Sequence, residues 1–277
     1  MTSADLARLS VFFAVLAATL TWQALWPARA PVGRTAKRWF VNLAMLAAST
    51  LVARLAAPFA AVGAALWAKT NDFGLSHWLS LPDWAAFALT LIALDLAIYA
   101  QHRAMHRAPL LWRFHAVHHA DAHVDATTAL RFHPGEILLS MLWKATVVAA
   151  LGAPALAVIV FEAAVNALAL FNHANGKLPH RLEFALKPWL ITPALHRQHH
   201  DASVGAAAPN YGFSVSLWDR LFGSFADRPE PKHLGLADPP GNPQSLAAMF
   251  AAPFTSRRDA APGPDDPPAR PGGGAGG

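Results

Sequence analysis

The feature that most limits how this chain folds is a series of apolar runs long enough to cross a lipid bilayer, which takes about 20 residues as an α-helix. Leu6 to Leu25 (LARLSVFFAVLAATLTWQAL) is such a run, with only Arg8 charged, close to its outer end. A second follows a basic segment, from Trp39 to about Pro58, and a third, Trp84 to Tyr99, contains one acid, Asp95. Two shorter runs, Ile137 to Leu151 and Ala155 to Phe171, are separated by Gly152-Ala153-Pro154, a break that ends one helix and starts the next. They read as a hairpin. With 54% of its 277 residues hydrophobic and 14% charged, the chain carries more apolar surface than a soluble core needs. The expected fold is an all-α integral membrane protein, a bundle of about four transmembrane helices that includes the hairpin. The competing reading of the first run is a signal peptide cleaved near Ala30, in PARAPV; Asp5 set against Arg8 and the length of the run favour a retained helix.

Charge sets the expected orientation. Arg29, Arg34, Lys37 and Arg38 all fall between the first and second runs, whereas the next connection holds Lys69 against Asp72. The positive-inside rule makes the first connection cytoplasmic. The third run then ends on the same face, in agreement with Arg103, Arg107 and Arg113, and the hairpin leaves that face and returns to it. Arg54, inside the second run, is expected to snorkel at the outer boundary. The basic residues gather beside apolar runs rather than along an aromatic-laced stripe, which excludes a nucleic-acid partner and makes the formal charge of +5 a matter of topology. From about Arg228 proline and glycine take over, so residues 229–277 are expected to be a disordered tail. The division expected is 1–83 for N-terminal helices and loops, 84–228 for a catalytic domain, and 229–277 for the tail.

Histidine carries the chemistry. His102 and His106 stand in HRAMH, His115, His118 and His119 in HAVHH, and His196, His199 and His200 in HRQHH. Spacings of three and four put each set on one helical face with neighbouring side chains about 5–6 Å apart. A ninth, His173 in FNHAN, closes the last apolar run. Single histidines such as His77, His180 and His233 read as surface or hydrogen-bonded residues, and His123 as a neighbour of the second set or a solvated side chain. Eight clustered imidazoles gain nothing structurally and repel one another when protonated, whereas metal ions resolve the crowding. Eight or nine nitrogens exceed what one ion coordinates, which implies at least two. There is no cysteine, so the donors are nitrogen or oxygen. Imidazole suits iron, zinc, copper and nickel alike, and neither the His-Glu-x-x-His helix of zinc proteases nor the Glu-x-x-His pairs of soluble di-iron bundles is present.

Polar residues on the same helices are expected to orient these imidazoles. Asp95, Tyr99, His102 and His106 share a face at steps of four, three and four, and an acid inside a span is usually functional. Glu162, Asn166 and His173 follow at steps of four and seven, and Asp219 is a further candidate. Helix-to-helix hydrogen bonding is the plainer role for all of them.

The order HRAMH, HAVHH, FNHAN, TPALHRQHH, then NYG at Asn210 to Gly212 and WDRLFG at Trp218 to Gly223, resembles the membrane-bound fatty acid hydroxylase / sterol desaturase superfamily over about Asp95 to Phe225. The resemblance implies a non-haem di-iron oxygenase in which His102, His106, His115, His118, His119, His173, His196, His199 and His200 hold two iron ions in a histidine-rich cytoplasmic helical cap. Some members have two histidines where this chain has only His173, which leaves a tenth position to water, Asn175 or His133. The implied reaction is dioxygen-dependent hydroxylation or desaturation of a lipid: a sterol, fatty-acyl or isoprenoid substrate. Electrons would come from a separate donor, a ferredoxin or a cytochrome b5-like protein, since no dinucleotide or flavin fingerprint is present; the arginines from Arg103 to Arg113 are candidates to dock it. A divalent-metal transporter with a histidine-rich cytoplasmic region is the alternative from another class, although a transport site belongs near the midplane. A family member that only binds lipid is a third.

Overall fold

Helices make up the regular structure of the computed structural model, which describes residues 3–57 and 60–255. Among those residues there is no strand, only three isolated backbone bridges. The stretch Arg257 to Gly277, expected to be disordered, lies outside the described residues. In chain order the α-helices are α1 (Ser3–Leu25), α2 (Thr35–Leu55), α3 (Ala61–Thr70), α4 (Leu75–Trp78), α5 (Asp83–Arg107), α6 (Pro109–His119), α7 (Pro134–Leu151), α8 (Ala155–His173), α9 (His180–Leu186), α10 (Pro193–His199), α11 (Leu217–Leu221) and α12 (Leu246–Thr255).

Among the described residues, α5, α7 and α8 are long and apolar enough to cross a membrane, at 25, 18 and 19 residues, and Leu9–Leu25 of α1 forms a shorter apolar stretch. At 1.5 Å per residue α7 and α8 reach about 27–29 Å, just the thickness of a hydrocarbon core. The α7–α8 hairpin forms as its break predicts. Gly152 ends α7 in the left-handed region (φ +62°) and Pro154 opens α8. Only glycine fits that corner, because a Cβ on Gly152 would lie 2.7 Å from the Phe73 carbonyl oxygen. Beside it α3 packs its small residues Ala61 and Ala65 against Leu94, Val148, Val158 and Phe161, filling the end of the bundle away from the histidines.

The α2 run falls outside the three because its composition is less apolar, and several of its polar residues turn inside. Arg38, Asn42 and Ser49 all face inward. Arg38 donates to Asp121 through Nε (2.6 Å) and Nη2 (2.8 Å), to Asp125 through Nη1 (3.1 Å), and to the His123 carbonyl. Asn42 bonds Asp121, Thr127 and Arg131, and Ser49 bonds the Phe132 carbonyl. Arg38, counted above as a charge on the cytoplasmic face, is therefore an internal cation neutralised by two acids. Arg29 is likewise engaged, bonding Glu230 and the Asn175 side chain. Both pairings bring the first connection to the end of the bundle where α5 and α8 finish.

The expectation of a disordered tail from residue 229 is corrected for residues 229–255. Met249 and Ala252 of α12 are buried against Val41, Met45 and Val117. Before that helix, Glu230 pairs with Arg197, the Arg228 amide donates to Gln198 (2.8 Å) and the Gly235 amide to the His200 carbonyl (2.9 Å). Proline and glycine only punctuate this segment; the apolar face of LAAMFAAPF drives its return.

Candidate metal centre

The nine histidines converge at one end of the bundle from four segments: the last two turns of α5, the C-terminal half of α6, the last residue of α8, and α10 with the residue after it. None is more than 3% exposed. They fall into two groups: His102, His106, His115, His119 and His199 in one, and His118, His173, His196 and His200 in the other. Within each group every histidine offers a ring nitrogen within 4.8 Å of all the others. Metal–nitrogen bonds of about 2.0–2.1 Å hold the donors on one ion within about 4.2 Å of one another, close to the limit observed within each group. The pockets adjoin, with the His119 and His200 rings stacked 4.2 Å apart.

The outer nitrogens decide which way the rings present their lone pairs. Nδ1 of His102 lies 2.7 Å from the Tyr211 carbonyl, that of His106 3.2 Å from Ala206, that of His173 2.7 Å from Ala169 and that of His199 2.8 Å from Pro209. A carbonyl only accepts, so each Nδ1 carries the proton and each Nε2 turns a lone pair inward. Nε2 of His102 then faces Nε2 of His115 at 3.1 Å, and Nε2 of His173 faces those of His118 and His196 at 3.1 and 2.9 Å. Nε2 of His106, His119 and His199 and both ring nitrogens of His200 are buried without a hydrogen-bond partner. Converging lone pairs and orphaned buried nitrogens are costly unless a cation sits between them. Outside the spanning helices burial, and then repulsion from neighbouring imidazoles, holds His115, His118, His119, His196, His199 and His200 well below the ordinary histidine range. They stay neutral, as metal ligands must. The residues present fit a metal pair.

The candidate orienting residues divide. Asp219 accepts from the amides of Tyr211 and Gly212, both at 2.8 Å, and from Ser224 Oγ at 2.7 Å. Since the Tyr211 carbonyl holds His102, Asp219 acts on that ring at one remove. The hydroxyl of Tyr99 bonds Ser224 at 2.8 Å, and Asp95 accepts from Trp218 Nε1 at 2.7 Å, so both brace the same loop from α5. Glu162 pairs instead with Lys144 across the hairpin at 2.6 Å, and Asn166 is exposed. Eleven and seven residues from His173 on a straight helix are about 16 and 10 Å, too far to touch its ring. His133 caps α7, accepting from the Gly135 amide at 3.0 Å, and Asn175 bonds the backbone of Arg29. Neither belongs to a histidine group.

Two contributors escaped the sequence reading. One is the segment 206–211, whose backbone carbonyls hold His106, His199 and His102; a carbonyl has no residue-type signature. Its Asn210 takes φ +58°, a region asparagine tolerates, and fixes itself through Leu195 and Ala226. The other is Glu136, whose Oε1 lies 2.7 Å from His115 Nδ1. An acid in an apolar helix was the available signal, masked because a helix's first turn favours acids anyway.

A helical bundle with helices long and apolar enough to span a membrane and two adjoining buried histidine groups able to hold metal defines the class of protein. Within it, the fatty acid hydroxylase family model matches residues 87–224, and the chain belongs to that family. It is 31% identical over 173 residues to an ornithine lipid hydroxylase of Rhizobium tropici, covering 61% of this chain and 50% of that one. It is 30% identical over 177 residues to an alkylglycerol monooxygenase of Danio rerio, covering 63% and 38%, and 28% identical over 151 residues to a cholesterol 25-hydroxylase of Rattus norvegicus, covering 53% and 48%. The chain thus spans half or less of the length of these relatives. No solved structure matches it.

Proposed function

We propose that this chain is a membrane-bound, dioxygen-dependent oxidoreductase that hydroxylates an unactivated C–H bond of a lipid. The observation that carries the reading is the pair of buried histidine groups, with ring nitrogens gathered within 4.8 Å in each, at the end of helices able to span a bilayer. The three relatives named above are, by their names, a hydroxylase of ornithine lipid, a monooxygenase of alkylglycerol and a hydroxylase of cholesterol, so a lipid is the substrate class they share. His102, His106, His115, His119 and His199 would hold one iron ion and His118, His173, His196 and His200 the other. Iron in these pockets would supply the redox chemistry that activates dioxygen. The balance is one C–H bond and one O2 consumed with two electrons and two protons, giving an alcohol and water.

The chain's own part is placement. The carbonyls of segment 206–211 and the Asp219 loop hold rings that a shift of about 1 Å would disable by on the order of a hundredfold. Lipid would enter between the apolar helices, and electrons would come from a separate ferredoxin or cytochrome b5-like donor. We place the site on the cytoplasmic face of a bacterial inner membrane, with residues 84–228 as the catalytic domain behind the N-terminal helices of 1–83. Protein purified in detergent, analysed for metal and assayed for oxygen uptake with a chemical reductant and total lipid extract, tests this. Two irons per chain and lipid-dependent uptake are expected; divalent-metal flux in proteoliposomes without oxygen uptake would point to a transporter and sink it.

A further inference from the structure

Lys144 and Glu162 face each other between the two helices of the hairpin, and nothing in the metal centre uses them. Lys144 Nζ lies 2.6 Å from Glu162 Oε1, with the two side chains 19% and 13% exposed. Both stand well inside helices of spanning length, ten residues into α7 and seven into α8. Charged groups at such depth are costly and mark the paths of polar ligand groups. α7 and α8 each pack on α3 and α5 rather than closely on one another, so the pair bridges a gap between them. That gap leads to the histidines. Glu162, Asn166 and His173 share one face of α8, since steps of four and seven bring a helix back to nearly the same side, and His173 on that face meets His118 and His196. Asn166, between them, is exposed. On α7, Glu136 reaches His115 two turns before Lys144. Eight residues along α7 and eleven along α8 set the pair about 12–16 Å from the metal centre.

We propose that Lys144 and Glu162 form a subsite that binds a hydroxyl of the lipid substrate and thereby sets how far from that hydroxyl the attacked carbon lies. The inference rests on reading the chain as a lipid hydroxylase. Lys144 offers donors and Glu162 acceptors, and a hydroxyl does both at one atom, so it joins the pair without separating the two charges. A carboxylate or phosphate would be repelled by Glu162, and a hydrocarbon end has nothing to exchange with either. The partial exposure of both side chains and the exposed Asn166 amide leave the subsite open to a lipid lying in the gap. With its hydroxyl held there, a chain or ring system presents to the histidines a carbon about 12–16 Å away.

The test is binding of tritiated 1-dodecanol, an alcohol of that reach, to the purified full chain in detergent by scintillation proximity, with unlabelled 1-dodecanol, dodecane and dodecanoate as competitors. In the wild type 1-dodecanol should compete at least about tenfold better than dodecane, as expected of one hydrogen bond to a charged group, and better than dodecanoate. Lys144→Met combined with Glu162→Leu exchanges the pair for apolar side chains, a change that packed ion pairs commonly tolerate. This variant should bind dodecane as the wild type does and lose the preference for the alcohol. Exchanging the two, Lys144→Glu with Glu162→Lys, brings back a donor and an acceptor and should keep the preference; it decides the matter if the apolar variant does not fold, and a loss of preference there overturns the proposal. A pair that only ties the helices together would leave the alcohol-to-alkane ratio unchanged in the apolar variant. That result overturns the proposal too, as does a wild type that binds neither compound or ranks dodecanoate first. Alcohol-selective binding by a chain that consumes no oxygen keeps the subsite and removes the hydroxylase reading.

Discussion

Replacing Arg38 by Met, which keeps the length of the stem and removes the charge, tests whether the polar node behind the histidines holds the bundle together. Arg38 grips Asp121 with two nitrogens at 2.6 and 2.8 Å and Asp125 with a third at 3.1 Å, and all three side chains are 4% exposed or less. Removing one partner of a buried ion pair costs about 3–5 kcal/mol, because the charges left behind cannot regain water. Asp121 would keep bonds from Asn42 (3.2 Å), Thr128 (3.0 Å) and the His123 amide (3.3 Å), and Asp125 would keep those from Trp39 (3.1 Å) and from the Thr127 amide and hydroxyl (2.9 and 2.6 Å), which places the loss at the low end, about 3 kcal/mol. At 1.4 kcal/mol per factor of ten that is about a hundredfold in the folding equilibrium. Unfolding in mixed micelles by added denaturing detergent, followed by tryptophan fluorescence, measures it. Asp121→Asn completes a double-mutant cycle, in which the two changes together should cost about 1–3 kcal/mol less than their sum. A loss below about 1 kcal/mol for Arg38→Met, or additivity within about 0.5 kcal/mol, would refute the argument and return Arg38 to the role of a surface charge.

Other outcomes follow from the same structure. Ala in place of His102, His118 or His199 should abolish oxygen uptake and lower bound metal, measured by elemental analysis, while membrane insertion persists; retained turnover in any of the three contradicts the ligand assignment. Stripping metal with a chelator should lower the melting temperature, since an ion at a thousand times its dissociation constant contributes about 4 kcal/mol, and adding iron back should restore it. Met249→Ala should destabilise by about 2–5 kcal/mol, because that side chain is wholly buried under α12; a silent variant would mean residues 246–255 do not pack as described.

Periodicity alone revealed much of this protein. Apolar runs of spanning length, a hairpin break at Gly152 and histidines three and four apart are local patterns, read within one or two helical turns, and the lack of cysteine is a count. Those facts pointed to a helical membrane protein whose candidate metal donors are mostly imidazole. What they left open depends on partners distant in the chain. The division of nine histidines into five and four separates His118 from its neighbour His119, because adjacent residues on α6 point to different sides. The carbonyls that orient His102, His106 and His199 lie about a hundred residues from the first two, and any residue type would provide them. Arg38 read as a topological charge until folding set Asp121 and Asp125 against it, and Glu136 read as a helix-end acid until α6 brought His115 to it. Tertiary packing decides such things because the free energy of a buried charge or lone pair is set by what the fold places within about 3 Å of it, a quantity no local pattern contains.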